Sequence, residues 1–509
     1  MKENGLCIYN APPEEVPADD FELFVNGEPV FTHAARVSAY PVNAFCPDFQ
    51  RPIAHTEMAS FASWEQNGPV NVRVKSSRPV ESVRIRPTAR GIEPAVRGNE
   101  ISFTIREPGQ YTVEVNGTHD ALHLFADPPE TDAPDPDDPN VRYFGPGVHC
   151  AGLIRMKSGQ TLYIAAGAVV YGAILAEQVR DIGILGRGIL DGGKFPRELL
   201  AGLIGLHECD NVRIEGITLR DAPVFCVTPM ACRGVYIRNI KLIGNWRYNT
   251  DGVDFCNCRD CSLEESFLRT FDDSVCVKGY RKFGPFLFRL RLAGKSHMDR
   301  RFFVDGVEGT FAELAERFGS YPCPRDVCDN IRVRNCVIWC DWGRPLEIGA
   351  ETQADEIHTI SFEDCDLIHS ICGSIMSVQN SDRALCRDIV YRDIRVELDD
   401  EPPRPVIIQH KDDAYKKTYD GFLPVLFKLA NAIGYVSADE ERGRIEDVRF
   451  ENIHVTAPNM PVSRLDGFDD DHRVRRVSIK NLTLNGEKLT DLERANIQMN
   501  ECTNDITIQ

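Results

Sequence analysis

Six short stretches between residues 211 and 484 repeat one pattern, and that repetition restricts the chain to few folds. They are Asn211–Leu219, Gly234–Leu242, Asn330–Ile338, Asp388–Val396, Asp447–Val455 and Arg476–Leu484. Each holds a short strand alternating apolar with polar residues, a polar bend, and a second short strand. The spacing is 23 residues from Val212 to Val235 and 26 from Ile331 to Ile357. A strand-bearing period in the twenties means a solenoid, whose coils turn β-branched residues inward and stack on one another. Leucine-rich repeats have a similar period, but their L-x-x-L-x-L-x-x-N signature is absent. At 509 residues the chain exceeds one ordinary globular core, yet a solenoid can accommodate it. The expectation is an all-β protein with a parallel β-helix over residues 141–509. Asn at the bends can hydrogen-bond backbone and tolerate left-handed geometry.

Residues 127–140, DPPETDAPDPDDPN, hold five prolines and six acids and read as a linker. Before it, residues 1–126 carry alternating segments at 70–77, 80–87, 100–107 and 110–117, which suggest a small N-terminal β-sandwich serving as cap or scaffold. FTIREPGQYTVEVNG reads as a hairpin with a Pro-Gly turn. Two insertions, 307–318 and 420–433, have helical spacing, the second limited at its start by Pro424. Insertions in a solenoid map to loops on one face, often the binding face.

A formal net charge of −19 argues against nucleic acid and anionic membranes as partners. No run of 18 apolar residues suggests a membrane span, and no apolar segment follows Lys2 as a secretion signal would require. The expected location is cytoplasmic, so the 18 cysteines read as reduced core residues. Cys258 and Cys261 form an isolated C-x-x-C, too little for zinc. No metal or cofactor is expected; a homo-oligomer is compatible with the composition.

The chemistry concentrates in Asn249-Thr250-Asp251-Gly252-Val253-Asp254, followed 21 residues after Asp251 by Asp272-Asp273 and then by Lys278. One coil takes about this many residues, so Asp251 is expected beside the Asp272-Asp273 pair. A DD pair alone is ordinary acidic surface. Three carboxylates crowded on one patch are different: like charges push their pKa values apart and supply an acid and a base near neutrality. Inverting glycoside hydrolysis needs those two forms, one to protonate the leaving oxygen and one to activate water.

The stretch NTDGVDFCNCRDCSLEESFLRTFDDSVCVKG resembles the central signature of polygalacturonase-type glycosidases, glycoside hydrolase family 28. Dextranase-type family 49 shares the aspartate trio and carries a β-sandwich before its β-helix. The segments 143–149 and 158–172 resemble the first coils of that wider clan, and the likeness runs from residue 141 to about 400. The resemblance implies a right-handed β-helix, a carbohydrate substrate, Asp272 as general acid and Asp251 with Asp273 as the pair that activates water. It makes Lys278 a substrate contact and Asn249 a residue that orients the site or the sugar.

The departures from the family are specific. Phe271 replaces the Gly of G-D-D, and only His297 stands near the family's G-H-G loop. In Trp342-Gly-Arg344-Pro-Leu-Glu347, a Glu stands where the family has a carboxylate-reading Lys. A carboxylate there would repel galacturonate, which favours a neutral or amino sugar touched by Arg344 and Glu347. The loop 281–301, with seven Lys or Arg and one Asp, reads as a rim loop or an anionic subsite. Trp246 and Trp342 are candidates to stack on sugar rings, although aromatics buried at coil edges are at least as common. Two rivals use the same fold: a uronate lyase or epimerase with the aspartates holding calcium, and a non-catalytic glycan-binding solenoid.

Overall fold

The computed structural model of the protein describes residues 5–39, 53, 56–195, 202–283, 291–292, 301–318, 321–370, 373–399, 406–407, 416–417, 424–434 and 436–509. The repeats coil as their alternation requires. Val227–Met230, Arg233–Arg238 and Lys241–Ile243 form one coil, and Val253–Cys256, Arg259–Glu264 and Phe267–Thr270 stack on it strand for strand. Together the coils make a 30-stranded sheet whose successive turns pair in parallel, a right-handed β-helix. Alternate residues enter the interior, among them Val253 and Phe255, Val275 and Val277, and Leu346 and Ile348. Burial of each such side chain contributes roughly 1.5–3 kcal/mol. The bends turn where the sequence placed Asn and Asp: Asn211, Asn239, Asn330, Asp388 and Asp447 have φ between 51° and 55°.

Before the helix, two sheets face each other. One contains Leu6–Ile8, His33–Ser38, Thr56–Gln66, Val83–Arg86, Gly109–Val115 and Leu122–Asp127; the other contains Phe21–Val25, Glu28–Val30, Val70–Ser76, Ala95–Arg97 and Glu100–Ile105. Leu23, Val72 and Phe103 meet Trp64, Val113 and Leu124 between them. The expected hairpin across Pro108-Gly109 does not form. Glu100–Ile105 and Gly109–Val115 belong to different sheets, so the Pro-Gly segment carries the chain from one layer to the other. Residues 128–140 contain neither strand nor helix.

Both insertions depart from a purely helical reading. Val307–Thr310 is a strand that leads into a helix at Phe311–Phe318. Val425–Asn431, inside the expected second helix, is a coil strand paired with Ser374–Asn380. There the backbone pairing offered by the neighbouring coil outweighs local helical periodicity. Among the described residues no helix is long and apolar enough to cross a membrane. The 16 described cysteines are all free and mostly buried.

The sandwich is fastened to the solenoid on both apolar and ionic contacts. Phe61 and Phe125 pack on Phe267 and Trp339 of the coils. Nearby, Arg86 donates to Glu114 at 2.9 Å and to Glu397 at 2.7 Å, and also pairs with Asp399. His369 pairs with Glu114 and lies 3.2 Å from Asp399. Burial alone would raise the Glu114 carboxyl, but His369 and Arg86 outweigh it and hold it below the usual range. Asp399 is depressed by the same two cations against its own desolvation. Depressed carboxylates stabilise the fold above their unfolded values, and that stability is lost as pH falls through the folded values.

Arg86→Met removes the guanidinium shared by Glu114, Glu397 and Asp399, leaving His369 as the cation beside two of them, and should cost about 3–5 kcal/mol at neutral pH. Because Glu114 and Asp399 then lose one of the cations that depress them, the difference from wild type should shrink as pH falls. Denaturant titrations at pH 7 and pH 4.5 check both; a penalty independent of pH would refute the ionic account.

Candidate active site

The site grows from the register of three coils. Gly252 N–H donates to Asp273 O at 2.8 Å, and Ser274 N–H donates to Arg344 O at 2.8 Å. Val253 pairs with Val275, and Val275 with Leu346. Asp251, Asp273 and Arg344 therefore stack at equivalent places in successive coils, at the turn that enters one sheet. The strand positions that follow form a second column. Since their neighbours point into the core, Asp254, Cys276, Glu347, Ser377 and Lys428 project outward in register.

These side chains are largely enclosed: Asp251 is 3% exposed, Asp273 6% and Asp272 9%. The Lys278 ammonium lies 3.2 Å from Asp251 Oδ2 and 3.8 Å from Asp254 Oδ2. Asp251 Oδ1 and Asp254 Oδ1 are buried without a hydrogen-bond partner. Asp273 Oδ1 accepts from the Arg344 backbone N–H at 2.7 Å, with the Arg344 guanidinium 3.6 Å away. The Cys276 thiol donates toward Asp273 Oδ2 at 3.5 Å. Below the pair, Thr270 Oγ1 donates to the Asp272 carbonyl at 2.8 Å and shares a hydrogen bond with Ser274 Oγ at 2.7 Å.

Desolvation dominates the titration of this cluster. It pushes the Asp272 carboxyl up to about 7, with Asp273 adding to the rise and Lys278 and Arg344 opposing it. It raises Asp254 to about 6 and Asp251 well above the carboxylate range, both against the pull of Lys278. Burial on its own would discharge Lys278; the surrounding Asp254, Cys276 and Asp251 reverse this and keep it an ammonium. Desolvation thus favours the protonated form of Asp251, Asp254 and Asp272 alike, inside a group that also holds fixed cations.

Of the residues singled out from sequence, Asp251, Asp272, Asp273, Lys278 and Arg344 come together. Lys278, expected to contact substrate, is buried and paired with Asp251 and Asp254 as an internal counter-ion. Glu347 is a correction: it is fully buried beneath Arg344 and bonded to Gln379, so it cannot offer its carboxylate to a sugar. Its strand phase turns it outward, but Arg344, Gln379 and the adjoining coils cover it. Trp246 is 7% exposed and donates its Nε1–H to Asp221 at 3.0 Å. Trp342 is half-buried and stacks on Phe271 at 5.3 Å, with Tyr248 edge-on to both. Asn249 is exposed with φ 55°. His297 and most of the basic loop lie outside the described residues. Asp254, Cys276, Gln379 and Lys428 join the site without having been candidates from the sequence pattern. The alternation of Val253 and Phe255 could have exposed the first, whereas the helical reading of 420–433 hid the last. Asp251, Asp273 and Cys276 also form a group of potential metal-ligating atoms, all within 4.8 Å of one another.

Comparison with known proteins agrees with this picture. Residues 176–286, which contain the aspartate motif, match the family described as glycosyl hydrolases family 28. A probable polygalacturonase of Vitis vinifera is 31% identical over 84 residues, spanning 16% of this chain and 17% of that protein. Dex49A from Penicillium minioluteum superposes with a TM-score of 0.62 over 100% of this chain and 99% of its own, at 12% identity, a likeness of fold. A family 28 exopolygalacturonase of Yersinia enterocolitica has a TM-score of 0.47 at 12% identity, covering 86% of this chain and 96% of that one. The family match and the Vitis vinifera relative uphold the resemblance to polygalacturonase-like glycoside hydrolases read from the motif.

Gly343 sits where this geometry leaves no room. A Cβ there would lie 2.3 Å from the Asp272 carbonyl carbon and the Asp273 nitrogen. Gly343→Ala should therefore displace the Asp272-Asp273 turn and lower turnover by about a hundredfold, the scale of a 1 Å misplacement. Steady-state rates on folded protein, verified by circular dichroism, decide this; unchanged turnover would mean that the turn does not carry the reacting groups.

Proposed function

We propose that the protein is an inverting glycoside hydrolase acting on a neutral or amino sugar. Asp272 is the general acid, and Asp251 with Asp273 activates the attacking water. The observation that carries this reading is the enclosed carboxylate cluster in which desolvation pushes Asp272 up to about 7, in a segment similar to family 28. Single displacement requires a protonated acid on one side of the glycosidic oxygen and an ionised base on the other. Arg344, 3.6 Å from Asp273 Oδ1, is the cation placed to offset the charge of a base at that position while Asp272 holds its proton.

The preference for a neutral or cationic sugar rests on charge balance. Among the described residues, the cations paired into the group of Asp251, Asp254, Asp272, Asp273 and Glu347 are Lys278, Arg344 and, through Gln379, Lys428, and Arg344 already lies between Asp273 and Glu347. A sugar carboxylate entering this patch would find its nearest cations engaged. The alternative of a uronate lyase keeps one supporting observation, the metal-ligand spacing of Asp251, Asp273 and Cys276. Loss of activity with chelator and an ultraviolet-absorbing product would favour it.

Asp272→Asn should abolish turnover on substrates with poor leaving groups, since an amide cannot donate that proton. In wild type, kcat/KM should fall as pH rises through about 7, the point at which Asp272 gives up its proton. Near-normal rates in the mutant, or a flat profile from pH 6 to 9, would refute the assignment.

Early product, followed by NMR, should show the inverted anomer. Neutral oligosaccharides should be cleaved faster than galacturonate oligomers of the same length. A retained anomer defeats the single-displacement mechanism, and efficient galacturonate cleavage defeats the sugar preference.

A further inference from the structure

A chain of polar contacts leads from the C-terminal coils to the aspartate pair. Lys428 Nζ donates to Gln379 Oε1 at 2.6 Å, and Gln379 Nε2 donates to Glu347 Oε1 at 2.7 Å. The ammonium thus fixes which end of the amide faces Glu347. Glu347 Oε2 has no hydrogen bond and faces Arg344 Nε at 3.9 Å. Arg344 in turn reaches Asp273 Oδ1 through its guanidinium at 3.6 Å and through its backbone N–H at 2.7 Å. Pro345 follows and restricts the Arg344 backbone to extended conformations, which keeps that N–H aimed at Asp273.

We infer that Glu347 is a positioning residue, which acts through Arg344 to hold Asp273 in its working geometry; this rests on the reading of Asp273 as part of the water-activating pair. Glu347 is fully buried and cannot touch a substrate. A buried carboxylate persists only when paired and hydrogen-bonded, and its partners are those that lead to Asp273. The guanidinium lies between two carboxylates, one fixed from behind by Gln379 and Lys428 and one at the reacting centre. Removing the rear partner frees the Arg344 guanidinium to swing, and Asp273 loses the cation 3.6 Å from its Oδ1, keeping the backbone N–H as its remaining contact with Arg344. Arg344 is 30% exposed at its side chain, so the competing reading makes it a substrate reader with Glu347 as its support. The two readings differ in which kinetic constant moves.

The test is a double-mutant cycle of Glu347→Gln and Arg344→Met, with Asp272→Asn as control, using whichever oligosaccharide the wild type hydrolyses. Glu347→Gln should lower kcat roughly ten- to a hundredfold, the range for partners that orient reacting groups, with KM within about twofold. The double mutant should be no slower than Arg344→Met alone, because Glu347 acts only through that side chain. A rise in KM at constant kcat, or additive losses in the cycle, would overturn the inference while an inactive Asp272→Asn left the acid assignment standing. Full activity of Asp272→Asn would instead remove the catalytic reading itself, and the positioning role with it. If Glu347→Gln does not fold, Arg344→Lys replaces it: a kcat loss at constant KM supports the inference, and a KM rise overturns it.

Discussion

Parallel backbone pairing between consecutive coils is the interaction on which everything else in this protein depends. It places residues about 22 apart at the same height on the same face, as Val253 beside Val275 shows. Asp251 and Asp273 are neighbours for that reason alone, since nothing in their side chains would bring two like charges together. The inward half of each strand supplies the stability that tolerates this repulsion. Val253, Phe255, Val275 and Val277 fill the interior while Asp254, Cys276 and Lys278 project to the other side. Site and core are alternate residues of the same strands, so a one-residue slip in register would exchange them.

The electrostatics follow from enclosure rather than from proximity alone. Desolvation is the leading influence on Asp251, Asp254, Asp272 and Glu347, and each is raised. Lys278 and Arg344 are kept charged by the same carboxylates they counterbalance. Such a cluster suits proton transfer, because its members cannot all be ionised at once. The sandwich contributes at a distance. Its first sheet is covered on both faces, by its own core on one side and by Phe267 and Trp339 on the other. Arg86, Glu114 and His369 add a buried ionic contact to that seam.

Much of this was legible in the linear chain. The repeat period and the alternation within each repeat specified a β-helix, because a two-residue phase and a coil length are both written in sequence. The 21-residue interval between Asp251 and Asp272 predicted their proximity on the same grounds. Local pattern is a poor guide where it competes with long-range pairing. Residues 425–431 carry helical spacing yet pair as a strand, and the Pro108-Gly109 turn joins two sheets instead of closing a hairpin.

Glu347 marks the boundary between the two kinds of information. Its residue type and strand phase are properties of the sequence, and they rightly turn it away from the core. Whether an outward residue meets solvent, substrate or other side chains depends on what the next coils lay over it, and here Arg344, Gln379 and Lys428 enclose it. The coil, its register and the meeting of the three aspartates are written in the residue order, since parallel pairing converts a fixed interval into adjacency. Which charges are buried, which cation neutralises which carboxylate, and how the sandwich seats on the helix emerge with the folded chain, because those depend on contacts between residues with no fixed spacing along it.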